Sequence, residues 1–371
     1  MPTAILHNPL RYTRTILLAL TLFFIGVYAQ AQQPTPTFRW ELSDQSLALF
    51  DNEKPVYVFN YAFLPHNVPE NEPRRYAGDY VYPLYGLDGE NLTDNAPKDH
   101  YHHHGVFWTW PGVFVHEKDG SVRKFDLWTS NTMIRQRFIK LNEYGVYENQ
   151  AKLSLEFGWF VDANATTPDE KINPEKKGLD IADNQDQYGE MIMRESVQIV
   201  ANHVEDFQGV PARAIDFTIT LIPTEKPVSL QGAEHKSYGG FTIRFRPRGK
   251  IGVDEFITTD LGVAKEDLPE TKLQWADYVS RFGAHNDQTN QDDALSGAAI
   301  FLSPNFPDFP PTWLTRYYGP LCVGFPGVVA QRFEPGQEIV MKVRVWIHRD
   351  LLTQETLQNA FNAWAKEEKR E

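Results

Sequence analysis

Four of the chain's eleven histidines fall within five positions, in Asp99-His100-Tyr101-His102-His103-His104-Gly105. Histidine is the side chain whose ordinary pKa lies nearest neutral pH, and a neutral imidazole is a common metal ligand. Such a cluster can move protons on a substrate, or hold a divalent metal where three or four ligands converge. Read as an extended segment, a period of two puts His100, His102 and His104 on one face and His103 on the other. His100, His102 and His103 are the candidate catalytic groups, and His104 a candidate for binding substrate. No cofactor is required, but a divalent metal is an alternative, held by His100 and His102 with another His or Asp99, although only two or three ligands are visible where a defined site needs three or four. The plainer alternative is a hydrogen-bonded turn whose imidazoles satisfy nearby backbone groups.

Other segments carry related chemistry. Trp108 lies in the aromatic run that follows the histidines and is a candidate contact for a sugar ring. Glu234-His235-Lys236 precedes an alternating strand in which Arg244 and Arg246 share the face opposite Ile243 and Phe245. Arginines on one strand face can grip a carboxylate or sulfate bidentately. Arg316-Tyr317-Tyr318 suits a sugar or acid pocket, with Tyr317 as the proton-transfer group and Arg316 and Tyr318 as binding groups. No pair of carboxylates stands out as in a glycosidase; Glu195 and Glu234 are the candidates if there is one. Cys322, the only cysteine, reads as a buried small hydrophobe and cannot form an internal disulfide.

The elements that must position these groups read as β-structure. Hydrophobic content is 42% and charged content 23% of 371 residues, enough for a full core in one large domain. Alternating or β-branched runs mark strands at 38–42, 47–50, 56–62, 80–85, 105–115 (broken at Pro111-Gly112), 122–128, 132–141, 152–161, 190–201, 212–222, 240–246, 298–302 and 339–348. The one convincing helix, about 353–368, is capped by Thr353 and carries Leu357, Phe361 and Trp364 at helical spacing. Residues 164–186 form a long polar loop. Many strands and one terminal helix predict an all-β protein, a large two-sheet antiparallel sandwich occupying residues 32–371.

Residues 1–31 read as a secretory signal. Arg11 and Arg14 precede an apolar run from Ile16 to Tyr28, and Ala29-Gln30-Ala31 fits a cleavage site. The mature chain is therefore expected in the periplasm or outside the cell. The run is short for a membrane span, and nothing after residue 31 is long and apolar enough for one. A net charge of −13 gives no electrostatic reason to bind nucleic acid or an anionic membrane. Walker, dinucleotide-binding, His-Glu-x-x-His and Gly-x-Ser-x-Gly patterns are absent.

In these segments the chain resembles an uncharacterised, mostly bacterial family often labelled "methane oxygenase PmoA-like". The resemblance covers nearly all of the mature chain. It is carried by Asp79-Tyr80-Val81-Tyr82-Pro83-Leu84-Tyr85 with Asp88-Gly89, and by Pro97-Lys98-Asp99-His100-Tyr101-His102-His103-His104-Gly105. Ile215-Asp216-Phe217, Gly239 to Arg244, Trp275-Ala276-Asp277-Tyr278 and Pro311 to Gly319 continue it. The family usually carries Arg where this chain has His104. The label does not suit this chain, because a methane oxygenase subunit is a helical membrane protein. The resemblance implies a galactose-mutarotase-like β-supersandwich and a carbohydrate substrate.

Two functions of different kind follow. One is an exported carbohydrate-processing enzyme of lyase, isomerase or hydrolytic type, worked by the His cluster with Tyr and Arg. The other is a non-catalytic carbohydrate-binding or cell-envelope protein in which the histidines are structural.

Overall fold

The computed structural model describes residues 37–66, 68–69, 76–129, 133–161, 189–246, 249–283 and 293–369. The expected signal segment and the 164–186 loop lie outside the described residues. Residues Pro36–Glu371 form one compact unit. Among the described residues there are two large antiparallel sheets. The nine-stranded sheet runs in the order Phe38–Leu42, Ser46–Asp51, Lys54–Asn60, Tyr80–Leu84, Val106–Thr109, Gly240–Arg244, Pro320–Gly324, Thr312–Thr315 and Leu268–Lys272. The ten-stranded sheet has Val210–Pro223 and Ile339–Arg349 at its centre, with the long strands Ile134–Tyr147 and Gln150–Val161 at one end. A four-stranded sheet holds Gly112–His116, Val122–Phe125, Val228–Gln231 and Gln331–Phe333. The fold is all-β with one C-terminal helix, as the strand pattern predicts.

Period-two burial explains the strands of the ten-stranded sheet. In Gln150–Val161 the side chains of Ala151, Leu153, Leu155 and Phe157 are buried, and those between them are less so. They meet Leu47, Leu49, Phe241 and Ile243 of the other sheet in one continuous core. The expected strand at 132–141 instead runs on to Tyr147, with two register shifts against its neighbour. Thr353 caps the Gln354–Glu368 helix by accepting from Thr356 N. Leu357, Phe361 and Trp364 pack on Trp275, Phe301 and Trp346 of the ten-stranded sheet. Among the described residues no helix is long and apolar enough to cross a membrane.

The nine-stranded sheet is covered on both faces at its centre. Gly240–Arg244 and Pro320–Gly324 are buried at every position. Phe241 and Ile243 face the inter-sheet core. Thr242 faces the other way, paired in register with Phe107 on one side and Cys322 on the other. Tyr80, Phe107, Trp128, Leu314 and Cys322 make a separate apolar cluster, with Tyr82 and Tyr238 packed against it. The histidine segment lies over this outer face.

Candidate functional site

The histidine segment is not extended. The backbone N–H of His100 donates to Pro97 O (2.9 Å), and that of His103 to His100 O (3.0 Å). Ala96 N donates to His103 O (2.8 Å), and Gly105 N to Asp94 O (2.8 Å). The segment is thus folded into turns clamped against residues 94–96. The expected alternation of His100, His102 and His104 on one strand face is corrected accordingly. Gly105 closes the clamp with φ +54°, and a Cβ there would lie 2.1 Å from Val81 O. Only glycine combines that conformation with that approach.

The turn brings three imidazoles together. The rings of His100 and His103 stack at 4.6 Å, with an interplanar angle of 10°. His102 stands edge-on to both, at 5.6 Å and 4.6 Å. Trp128 meets His103 edge-on at 5.7 Å and packs on Tyr238 at 4.6 Å. Tyr318 stacks on the other side of His100 at 5.3 Å. Beneath them lies Arg244, whose side chain is 1% exposed. Its Nη2 donates to Asp99 Oδ2 at 3.0 Å and Oδ1 at 3.3 Å, and its guanidinium carbon lies 4.9 Å from the centre of the Tyr318 ring. Asp99 Oδ2 is also 2.9 Å from His100 Nδ1. Nε and Nη1 of Arg244 are buried without a hydrogen-bond partner. A buried guanidinium with idle donors is costly, and a ligand oxygen or water would relieve it.

His104 belongs to the neighbouring pocket. Its Nδ1 lies 2.8 Å from Asn95 Oδ1, and its ring stacks on His66 at 4.7 Å. The Asn95 amide nitrogen in turn faces His66 Nδ1 at 3.4 Å. This network assigns the tautomer: with Nδ1–H donating to Asn95, the lone pair of His104 is on Nε2. That Nε2 is buried and has no partner. The pocket is lined by His102, His104, Tyr80, Phe107 and Trp128, with Asp79, Arg135 and Gln136 deeper in. The pocket is narrow, with an interior of about 20 Å³. That interior admits a water molecule or a single hydroxyl, not a sugar ring.

Burial sets the charge states. It pushes the pKa of His103 well below the ordinary histidine value, and the neighbouring His102, Arg244 and His100 push the same way. Burial, then the nearby His66 and His102, lower His104 well below that value, and burial brings His66 down to about 4. All three rings are neutral at pH 7. Burial works against the charge on Asp99, but contacts with His100 and Arg244 outweigh it and hold the carboxyl below its usual range. Burial raises Tyr318, and only partly do Arg244 and Arg316 offset it. Among the described residues no group of three or more His, Cys, Asp or Glu is arranged to hold a metal.

Several residues singled out in the sequence stand elsewhere. Tyr317 points into the core, its hydroxyl donating to Ala264 O. Tyr318, its neighbour in the turn between Thr312–Thr315 and Pro320–Gly324, is the tyrosine at the imidazoles. Trp108 is fully buried on the core face, its indole N–H donating to Glu195. Glu234, His235 and Lys236 are exposed on a turn, and of that turn it is Tyr238 that reaches Trp128. Arg246 does not share a strand face with Arg244: the strand stops at Arg244, and Arg246 lines a separate pocket with Tyr85 and Phe282. Arg316 sits at the margin, paired with Asp267 at 2.7 Å. Cys322 is buried as expected, its thiol pushed up to about 12 by burial. His66, Asn95, Trp128, Tyr238 and Asp79 were not visible as site residues, since each comes from a segment without a chemical signature of its own.

A family model described as a family of unknown function (DUF6807) matches residues 47–362, and the chain belongs to that family. No curated protein matches the chain. It is similar to a solved structure described as a "putative aldose 1-epimerase" from Klebsiella pneumoniae subsp. pneumoniae MGH 78578. The two are 9% identical, with 87% of this chain and 81% of that chain covered and a TM-score of 0.32.

Proposed function

We propose that this DUF6807 member is an exported carbohydrate-processing enzyme that moves protons on an acidic sugar, of lyase or isomerase type. The observation that carries the reading is two kinds of buried idle group on the two sides of the histidine turn. Arg244 keeps Nε and Nη1 without partners, and the neutral His104 keeps its Nε2 lone pair without one. An anionic substituent would engage the guanidinium, which favours planar bidentate acceptors. The sugar ring would lie on Trp128, Tyr238, His100 and Tyr318, whose rings offer apolar faces with polar edges. One hydroxyl would enter the narrow interior and meet His104 Nε2, with His102 beside it at the mouth.

A neutral imidazole is the competent form of a general base. Burial and neighbouring histidines lower the proton affinity of His103 and His104, and Arg244 adds to this at His103. A bound carboxylate reverses part of that effect, so substrate binding itself would raise the basicity of these two rings. Asp99 now occupies one edge of Arg244 and orients His100, which makes it a positioning residue rather than a catalytic one.

The test is a mass- and NMR-resolved screen of the mature chain on uronate-bearing and neutral oligosaccharides. Turnover of a uronate substrate is expected, with H102A lowering kcat about 100-fold or more. R244K should mainly raise KM. Binding of sugars without any bond change in the wild type would replace the enzyme reading with a carbohydrate-binding one.

A further inference from the structure

The floor of the pocket is not apolar. Asp79 and Glu195, each 1% exposed, lie against one another between the sheets. Gln136 Nε2 bridges them, 3.0 Å from Asp79 Oδ2 and 3.2 Å from Glu195 Oε2. Two indoles hold the glutamate from the other side: Trp159 Nε1 donates to Oε2 at 2.6 Å, and Trp108 Nε1 donates to Oε1. Glu195 thus receives three N–H donors, the environment of an ionised carboxylate. Asp79 receives one, and its Oδ1 is buried without a donor. Two anions in contact there would repel strongly, and among the described residues no cation is hydrogen-bonded to either, so one proton is held between them. The donor count puts that proton on Asp79.

Placement argues against a purely structural pair. Asp79 lines the same pocket as His102 and His104, and Gln136 lines it too, whereas Glu195 lies behind them. Asp79 also holds φ +62°, a backbone conformation that costs a non-glycine residue energy. The Asp79 backbone N–H is fixed on Asn60 O at 2.8 Å.

We infer that Asp79 is a catalytic acid of this site, delivering the proton it shares with Glu195 to the ligand hydroxyl that enters the narrow interior. The inference rests on the acid–base reading above. Its balance is simple. A neutral imidazole takes a proton from the substrate, and Asp79 gives one to a substrate oxygen. The imidazole gains one positive charge and the carboxyl pair one negative charge, so the total is conserved. The two then exchange the proton back through the interior to reset the site. Glu195 is a positioning residue, since it touches Asp79 and not the ligand.

Infrared spectroscopy tests the shared proton without any turnover. Wild type at pH 7 is expected to show the carbonyl band of one buried protonated carboxyl. D79N should lack it, because Glu195 keeps its indole donors and loses its like-charged neighbour. A wild type without the band, or D79N that keeps it, overturns the assignment of the proton to Asp79. Transfer to D2O should shift the band within the mixing time. A band that stays unshifted over hours means a sealed core and overturns the assignment to the pocket. On any sugar that the wild type converts, D79N should lose about 100-fold or more in kcat with KM within about threefold. E195Q should shift the alkaline limb of the pH–rate profile. Full turnover by D79N overturns the role of Asp79. Failure to find any substrate would count against the proposed function, while the infrared arms still decide the proton and its access.

Discussion

His66, His103 and His104 are carried into the fold as neutral rings, and this has a thermodynamic sign. Burial brings His66 down to about 4 from 6.5, and it lowers His103 and His104 in the same direction. The unfolded chain binds these protons at a higher pH than the folded one. Their contribution is therefore complete above about pH 6.5, and it is lost as pH falls through the folded values. The exposed Asp88 behaves differently: hydrogen bonds from Arg349 and then Lys54 lower it to about 2, so its contribution lasts down to far lower pH. His348 has the opposite sign: burial opposes its charge, but Asp277 at 3.0 Å outweighs that and raises it, so its contribution fades on the alkaline side. The melting temperature is expected to fall between pH 6.5 and 4. H66N should flatten that slope, as Asn keeps a polar partner for Asn95 without the titration. Parallel melts of wild type and H66N across that window check it, and superimposable slopes would show that His66 does not carry the effect.

At the scale of elements, the turn and the strand it caps depend on one close approach. Gly105 donates to Asp94 O, and its own carbonyl accepts from Arg244 N at 2.7 Å. It thus ties the histidine turn to the strand that carries the buried arginine. G105A adds a Cβ 2.1 Å from Val81 O at a positive φ. A loss of roughly 3 kcal/mol is expected, with the turn displaced from Arg244. Chemical denaturation of G105A checks the stability, and a loss under about 1 kcal/mol would mean that the turn shifts without cost.

Strands with one core face, such as Val210–Pro223, were readable because polar and apolar residues alternate along them. Trp275–Arg281 and Thr312–Thr315 are absent from the expected strands and entered only through the family resemblance. Both are buried on two faces, so alternation is lost. The histidine cluster was legible as a group of titratable residues, but its geometry was not. Its turns are made by the backbone groups of residues 94–97, which carry no periodic signal. Tyr317 and Tyr318 exchanged roles for the same reason: they sit in the turn between Thr312–Thr315 and Pro320–Gly324, where no periodic pattern says which side chain faces the core. The Asp79–Glu195 contact joins residues 116 positions apart, and nothing local announces it.

For the whole molecule, the acidic charge, the lone cysteine and the leader bear on where the domain works. The lone thiol is buried and pushed up to about 12, so it is inert toward oxidants and disulfide exchange. The domain beginning near Phe38 therefore needs no oxidising compartment in order to fold, and export has to be argued from the leader alone. Residues 1–31 have the charge, the apolar run and the small residues expected of a cleaved signal, and we propose that they act as one. Expressed in a Gram-negative host, the full chain is expected in the periplasmic fraction with a mature N-terminus near Gln32. Residues 32–371 made in the cytoplasm should have the same melting temperature, with or without reductant. Edman sequencing of the fractionated protein and a melt in dithiothreitol check the two halves separately. Recovery of the chain from the cytosol with residues 1–31 intact would remove the export proposal. A melting temperature lowered by reductant would instead point to Cys322 of two chains being joined, contrary to its burial.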